Sequence, residues 1–136
     1  MANEMTDALA LRLLDLGNGV TTAAPVTGPL KLAALTVQGT DTTAGTEVTG
    51  GTYARQTITL GAAALVGGVP QASNTNAITF SGLPAIPGGI VGYAIYDSAG
   101  TPLRCWELPR TGGATSAIQA GDSNTIAIGG IVVQLD

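Results

Sequence analysis

The sequence predicts a mainly β protein, an antiparallel β-sandwich or jelly-roll-like barrel with one N-terminal α-helix and an extended arm. Three observations predict it. Only residues 5–16 place helix formers at helical spacing without Gly or Pro. Beyond residue 30 the apolar period falls to two, in short runs separated by Gly, Pro, Asn and Ser turn signals. The chain has 136 residues, enough to bury about two-thirds of the surface its unfolded form exposes without disulfides or a metal. Residues 1–29 read as helix and arm, and residues 30–136 as the β-sandwich domain.

In the helical stretch, Met5 to Leu16 (MTDALALRLLDL), Thr6 suits the N-cap and Asp7 the positive end of the helix dipole. Gly17 and Gly19 supply the stop. Leu9, Leu13 and Leu16 fall on one face with Met5 and Ala8, and Leu11 and Leu14 widen the stripe. So apolar a helix calls for a partner surface, either its own sheet or a neighbouring subunit. Residues 17–29 then form a loop or arm, broken by Pro25 and Pro29.

Leu30 to Val37 (LKLAALTV) reads as a buried strand, and the following QGTDTTAGTEVTGG as a polar loop too rich in Gly and Thr to pack. Tyr53 to Leu60 alternates, with Ala54, Gln56, Ile58 and Leu60 on one face and Tyr53, Arg55, Thr57 and Thr59 on the other. Ala64 to Val69 is a weak strand, Ala77 to Phe80 a better one, and Ile90 to Tyr96 the most apolar. The turn at Asp97-Ser98-Ala99-Gly100 returns the chain through Leu103 to Leu108 as a hairpin. Gly129-Gly130, between Thr125–Ile128 and Ile131–Leu135, signals a second hairpin. Roughly seven to nine short strands of this kind suit a sandwich or jelly roll.

Composition narrows the function. Charged residues make up 10% of the chain, against about 25% in ordinary domains. Few charges mean little desolvation cost when a surface meets a neighbouring subunit. The net charge is −4 and the five basic residues, Arg12, Lys31, Arg55, Arg104 and Arg110, are scattered, which argues against nucleic acid. No basic n-region precedes an apolar run and no run approaches a membrane span. The expectation is synthesis in a cytoplasm, with no membrane partner.

Chemistry is hard to find. Histidine is absent, which removes the usual nucleophile systems and the commonest transition-metal ligand. The single Cys105, between Arg104 and Trp106, reads as an inert, partly buried thiol. Asp97 and Asp122 sit in turn sequences, and Glu107 near a strand end, so a catalytic carboxylate pair is not expected. A calcium site at Asp122, Ser123 and Asn124 has one carboxylate only. The Gly-Gly pairs match no phosphate-binding loop. Tyr93 and Trp106 suit core or interface packing better than a carbohydrate platform. The sequence thus predicts no enzyme, no cofactor and no metal.

One segment goes further. Ala44 to Gln56 (AGTEVTGGTYARQ) resembles the AGTEVSGGSYARQ-like segment of a short phage protein family described as tail-fibre or minor tail proteins, with Thr49 and Thr52 where serines are common. GIVGYAIYD, LRCWEL and AGDSNTIAIGGI extend the likeness over nearly the whole chain. The resemblance implies a structural virion component at the particle surface.

For its place in the particle two readings stand. No shaft repeat or coiled coil is present, and LKLAALTV departs from the LHT-type strand of tail-described relatives. These features favour a capsid decoration (cement) protein that binds the major capsid protein and copies of itself. The alternative is a tail-fibre or minor tail protein bound to tail proteins. Expected interface residues are Leu9, Leu13 and Leu16 of the helix, Val20 and Val26 of the arm, and Trp106. Within the motif itself, Glu47 and Arg55 are placed to pair across the Gly50-Gly51 turn.

Overall fold

The computed structural model describes residues 3–20, 26–107 and 116–135, with side chains at 3, 4, 106 and 107 not described. Among them are eleven short strands and one helix. Leu30–Val37 (β2) forms as the sequence predicts, and its middle residues, Leu32 to Leu35, are fully buried on both faces. Small and branched apolar side chains on alternating positions let two layers press on one strand.

Around β2 a six-stranded antiparallel sheet assembles in the order β1 (Asn3–Met5), β9 (Pro102–Glu107), β8 (Gly92–Tyr96), β2, β3 (Thr46–Glu47). β4 (Gln56–Ile58) pairs with the other half of the same β2 edge. The β8–β9 hairpin turns at Asp97, whose Oδ1 accepts the N–H groups of Ala99 at 3.0 Å and Thr101 at 2.8 Å. Opposite lie two smaller sheets. One pairs β7 (Ile78–Phe80) with β10 (Asn124–Ile126), and the other orders β11 (Val132–Gln134), β6 (Val69–Ser73) and β5 (Ala64–Val66). Leu32, Ala34, Tyr93, Ile95 and Leu103 of the large sheet meet Ile78, Phe80 and Val133 of the small ones in one core. The result is an antiparallel β-sandwich with a single helix.

Three expectations are corrected. Residues 38–51 do not form an unpacked loop: Thr46–Glu47 joins the sheet across a bulge, Val48 is buried, and Ala44 covers the second, smaller core of Ala33, Leu35, Ala94, Tyr96 and Cys105. Gly129-Gly130 does not close a hairpin. Its flanking strands belong to different sheets, β10 to β7 and β11 to β6. The buried Asn74 fixes that crossover, its Oδ1 accepting the Ile131 N–H at 2.8 Å and its Nδ2 donating to the Ala127 carbonyl at 3.0 Å. Third, the weak strand at 64–69 is half of a hairpin, β5 returning as β6 through Gly67-Gly68. Both glycines have positive φ, 59° and 83°, the two-residue turn whose twist matches antiparallel strands.

Thr6 caps the helix α1 (Asp7–Gly17), accepting the Leu9 N–H at 3.3 Å. The Thr6 hydroxyl and N–H both reach the Leu103 carbonyl, and Met5 pairs with Arg104. The chain before the helix is therefore stitched to the sheet edge. Leu9 completes the docking by entering the main core.

Candidate functional site

The segment Gly45 to Gln56 builds one polar cluster on the sheet edge. Gly45 has φ 77° and lies against Val37, where any Cβ would collide with the Val37 carbonyl oxygen. That approach sets Glu47 beside β2. The Gly50-Gly51 turn then swings Tyr53 inward, and Thr52 N–H donates to the Gly82 carbonyl at 2.9 Å. Arg55 grips Glu47 with its Nε 3.0 and 3.1 Å from the two carboxylate oxygens and its Nη2 at 2.8 Å. The same guanidinium lies 3.7 Å over the ring of Tyr96. The expected Glu47–Arg55 pair thus forms, as a two-pronged contact stacked on an aromatic ring.

Tyr53 links this cluster to the core. Its hydroxyl donates to Glu47 Oε1 at 2.8 Å and accepts the Ala34 N–H at 3.0 Å. Its ring stacks on Phe80 at 5.7 Å, and Phe80 on Tyr93 at 6.1 Å. Tyr53 therefore packs in the core, as do Ile58 and Leu60 of the predicted opposite face, because the strand proper starts only at Gln56. Burial raises the Tyr53 phenol above its ordinary range, with the Ala34 N–H opposing and Glu47 adding to the rise. Burial likewise raises Tyr93, against the hydrogen bond from Asn124, and Tyr96, against the charge of Arg55. Glu47, Thr52, Tyr53, Arg55 and Gln56 of the motif are thus engaged within the fold, so the motif helps hold the sandwich together.

Asp97, Asp122, Asn124 and Cys105, weighed for chemistry, are also engaged, while the Glu107 side chain lies outside what is described. Arg12 pairs with Asp97 at 3.1 Å, tying the helix to the β8–β9 turn. Burial would raise the Asp97 carboxyl, but the Thr101 and Ala99 N–H groups and the Arg12 guanidinium outweigh it and hold it below the usual range. Asp122 accepts the Gln119 N–H at 2.9 Å. Asn124 donates through Nδ2 to the Tyr93 hydroxyl. Cys105 is buried with its Sγ 3.5 Å from the Thr40 carbonyl. Among the described residues no group of three acidic, Cys or His side chains is placed to hold a metal. No described helix is long and apolar enough to cross a membrane.

The expected interface residues separate. Leu9 is buried in the chain's own core. Leu13 and Leu16 are exposed, as are Val20 and Val26, although Leu9 and Leu13 share a helix face. Only the first turns of α1 therefore dock, and its C-terminal half leaves the sandwich. There Leu11 and Leu14, 62% and 61% exposed, add apolar surface on the other side. The arm residues 21–25 lie outside the described residues. Trp106 has its backbone in β9, paired with Asn3 and Tyr93, while its side chain lies outside what is described.

A second surface was not foreseen from the sequence. Every residue from 62 to 70, the β5–β6 hairpin tip, is exposed. Leu65 is 73% exposed, with Val66 and Val69 beside it and Val132 on β11. On this sheet a groove of about 240 Å³ is lined by Ala62, Ala64, Val66 and Val132, with Gln71 and Ser73 as its polar side chains. The signal for it was the Gly67-Gly68 pair between apolar runs.

The model of a protein family described as Podophage GP4 fiber I protein gp80 matches residues 4–134, nearly the whole chain. No curated protein and no solved structure matches.

Proposed function

The chain belongs to the podophage GP4 fiber I protein gp80 family, a phage fibre structural protein, and on that footing we propose that it is a non-catalytic part of a tail fibre. The observation that carries the reading is the match over residues 4–134. It favours the tail-fibre alternative over capsid decoration, which the sequence alone placed first. The partners are other tail proteins, and the work is done by buried area.

The geometry supplies a mode of attachment. The exposed half of α1 carries Leu11, Leu13, Leu14 and Leu16 around its circumference. Only Arg12 and the exposed Asp15 interrupt these leucines, and so much apolar surface on a short helix marks a contact with a partner. We assign it as the plug by which the sandwich is held in the rest of the particle. Arg12–Asp97 and Thr6 fix its direction at the root.

The test is gold-labelled antibody against the chain on intact particles, with copy number measured from purified virions. Label at the tail and a small number of copies are expected. Label spread over the head with hundreds of copies would return the chain to capsid decoration. For the attachment mode, particles made with Leu11→Lys and Leu14→Lys together should lose the protein while the purified variant stays folded. Full incorporation of that variant would remove the helix from the assignment.

A further inference from the structure

Two apolar surfaces of the chain stand exposed, and charge separates them. On the β5–β6 hairpin Leu65, Val66 and Val69 are exposed, and β5 has a neighbouring strand on one side only. No Asp, Glu, Lys or Arg occurs from Gln56 to Tyr96, so nothing on that edge selects a partner by charge. The projecting half of α1 is different. Among its exposed leucines stands one carboxylate, Asp15, which is itself exposed. Residues four apart on a helix are surface neighbours, so Asp15 lies one turn beyond Leu11 on the same side.

Asp15 suits neither a free helix nor a wholly apolar socket. The last turn of α1 holds no basic residue, and the carbonyl end of a helix carries partial negative charge that repels a carboxylate. Arg12, the one cation of the helix, is turned back to Asp97 at 3.1 Å. A partner that covers Leu11 and Leu14 also takes water from Asp15, and a carboxylate desolvated without a counter-charge is strongly unfavourable. Covering the leucines therefore calls for a cation beside Asp15. Another copy of this chain is unsuited to supply it. Arg12 and Arg55 are paired with Asp97 and Glu47. Arg104 donates to the Gln134 carbonyl and Lys31 to the Thr57 hydroxyl. The net charge of −4 opposes the approach as well.

We propose that α1 seats in a socket of a non-identical protein of the particle, an apolar pocket whose wall carries an arginine or lysine that pairs with Asp15. The proposal rests on the assignment of α1 as the plug and adds the chemistry of what receives it. The leucines supply the buried area. The ion pair, reinforced by the negative end of the helix, sets the depth and rotation at which the helix seats and turns away pockets without a cation.

The experiment is a competition for incorporation. Cells make wild-type chain and a variant in equal amounts, and mass spectrometry of purified particles reads the ratio of the two. Asp15→Asn should be depleted on the order of tenfold or more, because the partner's cation is left buried and unpaired. Asp15→Lys should be absent, and Asp15→Glu should compete within a few-fold of wild type. Asparagine relieves the helix end, so the purified Asp15→Asn chain should keep or gain helix by circular dichroism, and a lost fold does not explain its depletion. An Asp15→Asn chain incorporated as well as wild type overturns the proposal. If the Leu11→Lys, Leu14→Lys chain is still excluded in that case, the plug stands and only its cation falls. If that chain is incorporated too, both fall. Sedimentation of the purified wild-type chain with phosphatidylcholine vesicles also overturns the proposal, since a lipid surface then covers the leucines.

Discussion

Asn74→Ala is expected to destabilise the fold by about 3 kcal/mol, although the residue touches no proposed interface. The side chain is 1% exposed. Its Nδ2 donates to the Asn76 carbonyl at 2.7 Å and the Ala127 carbonyl at 3.0 Å, and its Oδ1 accepts the Ile131 N–H at 2.8 Å. After truncation the Ala127 carbonyl keeps the Gly130 N–H at 2.9 Å, and Asn76 is partly open to water. Those two bonds together contribute on the order of 1 kcal/mol. The Ile131 N–H is different, because Ile131 is buried and no water replaces the amide. An orphaned buried donor costs about 1–3 kcal/mol. Urea unfolding at fixed protein concentration measures the sum, and amide exchange at Ile131 isolates the local part. Asn74→Asp separates hydrogen bonding from volume. It is nearly isosteric, yet it turns two donors into acceptors facing carbonyls, so it should be at least as damaging as alanine near neutral pH. An aspartate variant as stable as wild type, or an alanine variant that loses less than about 1 kcal/mol, would refute the account.

Glu47→Ala should cost about 2 kcal/mol, after allowance for the partial exposure of the pair, because Arg55 loses its prongs and the Tyr53 hydroxyl its acceptor. Arg55 retains the Tyr96 ring, so Glu47→Ala with Arg55→Ala should cost less than the two single changes summed, as a double-mutant cycle in urea would read. Acid should release the helix. Asp97 has a depressed carboxyl in the folded state, so its contribution is present above the unfolded value near 3.9 and is lost as pH falls through the folded value. Amide exchange in α1 should rise in that window, and Arg12→Met should remove part of the pH dependence.

Local features were legible in the sequence and non-local ones were not. β2 could be read to the residue, because Leu30–Val37 is apolar on both faces and ends in Gln38-Gly39. Thr6 as N-cap and Glu47–Arg55 as a pair involve residues within eight positions of each other. Gly129-Gly130 misled for the opposite reason. Its two-residue spacing is right for a hairpin, but the partner that decides the path is Asn74, which holds Ile131 from 57 positions away. Loop 38–51 looked unable to pack because threonines and glycines supply little apolar area, yet closeness of backbones, as at Gly45, does the packing. Helical period placed Leu9 and Leu13 on one face but carries no information on where along its length a helix leaves its sheet. The β5–β6 hairpin was half hidden because Pro70 weakens a strand reading and no polar alternation marks an outer face.

The other sheet edges sharpen the contrast with β5. Beyond β2 the large sheet ends in two short strands, β3 and β4, with a bulge between Leu35 and Val37 at β3. Lys31 of β2 reaches the Thr57 hydroxyl of β4 at 2.8 Å, placing a charge beside that edge. Short strands, bulges and lysine are the devices by which sheets avoid pairing with strangers. The chain applies them on the large sheet and caps β11 with Arg104, yet leaves β5 uncharged and unbroken. The exposed leucines of α1 follow a different logic, since four of them on so short a stretch need cover from several sides, which a strand edge does not supply.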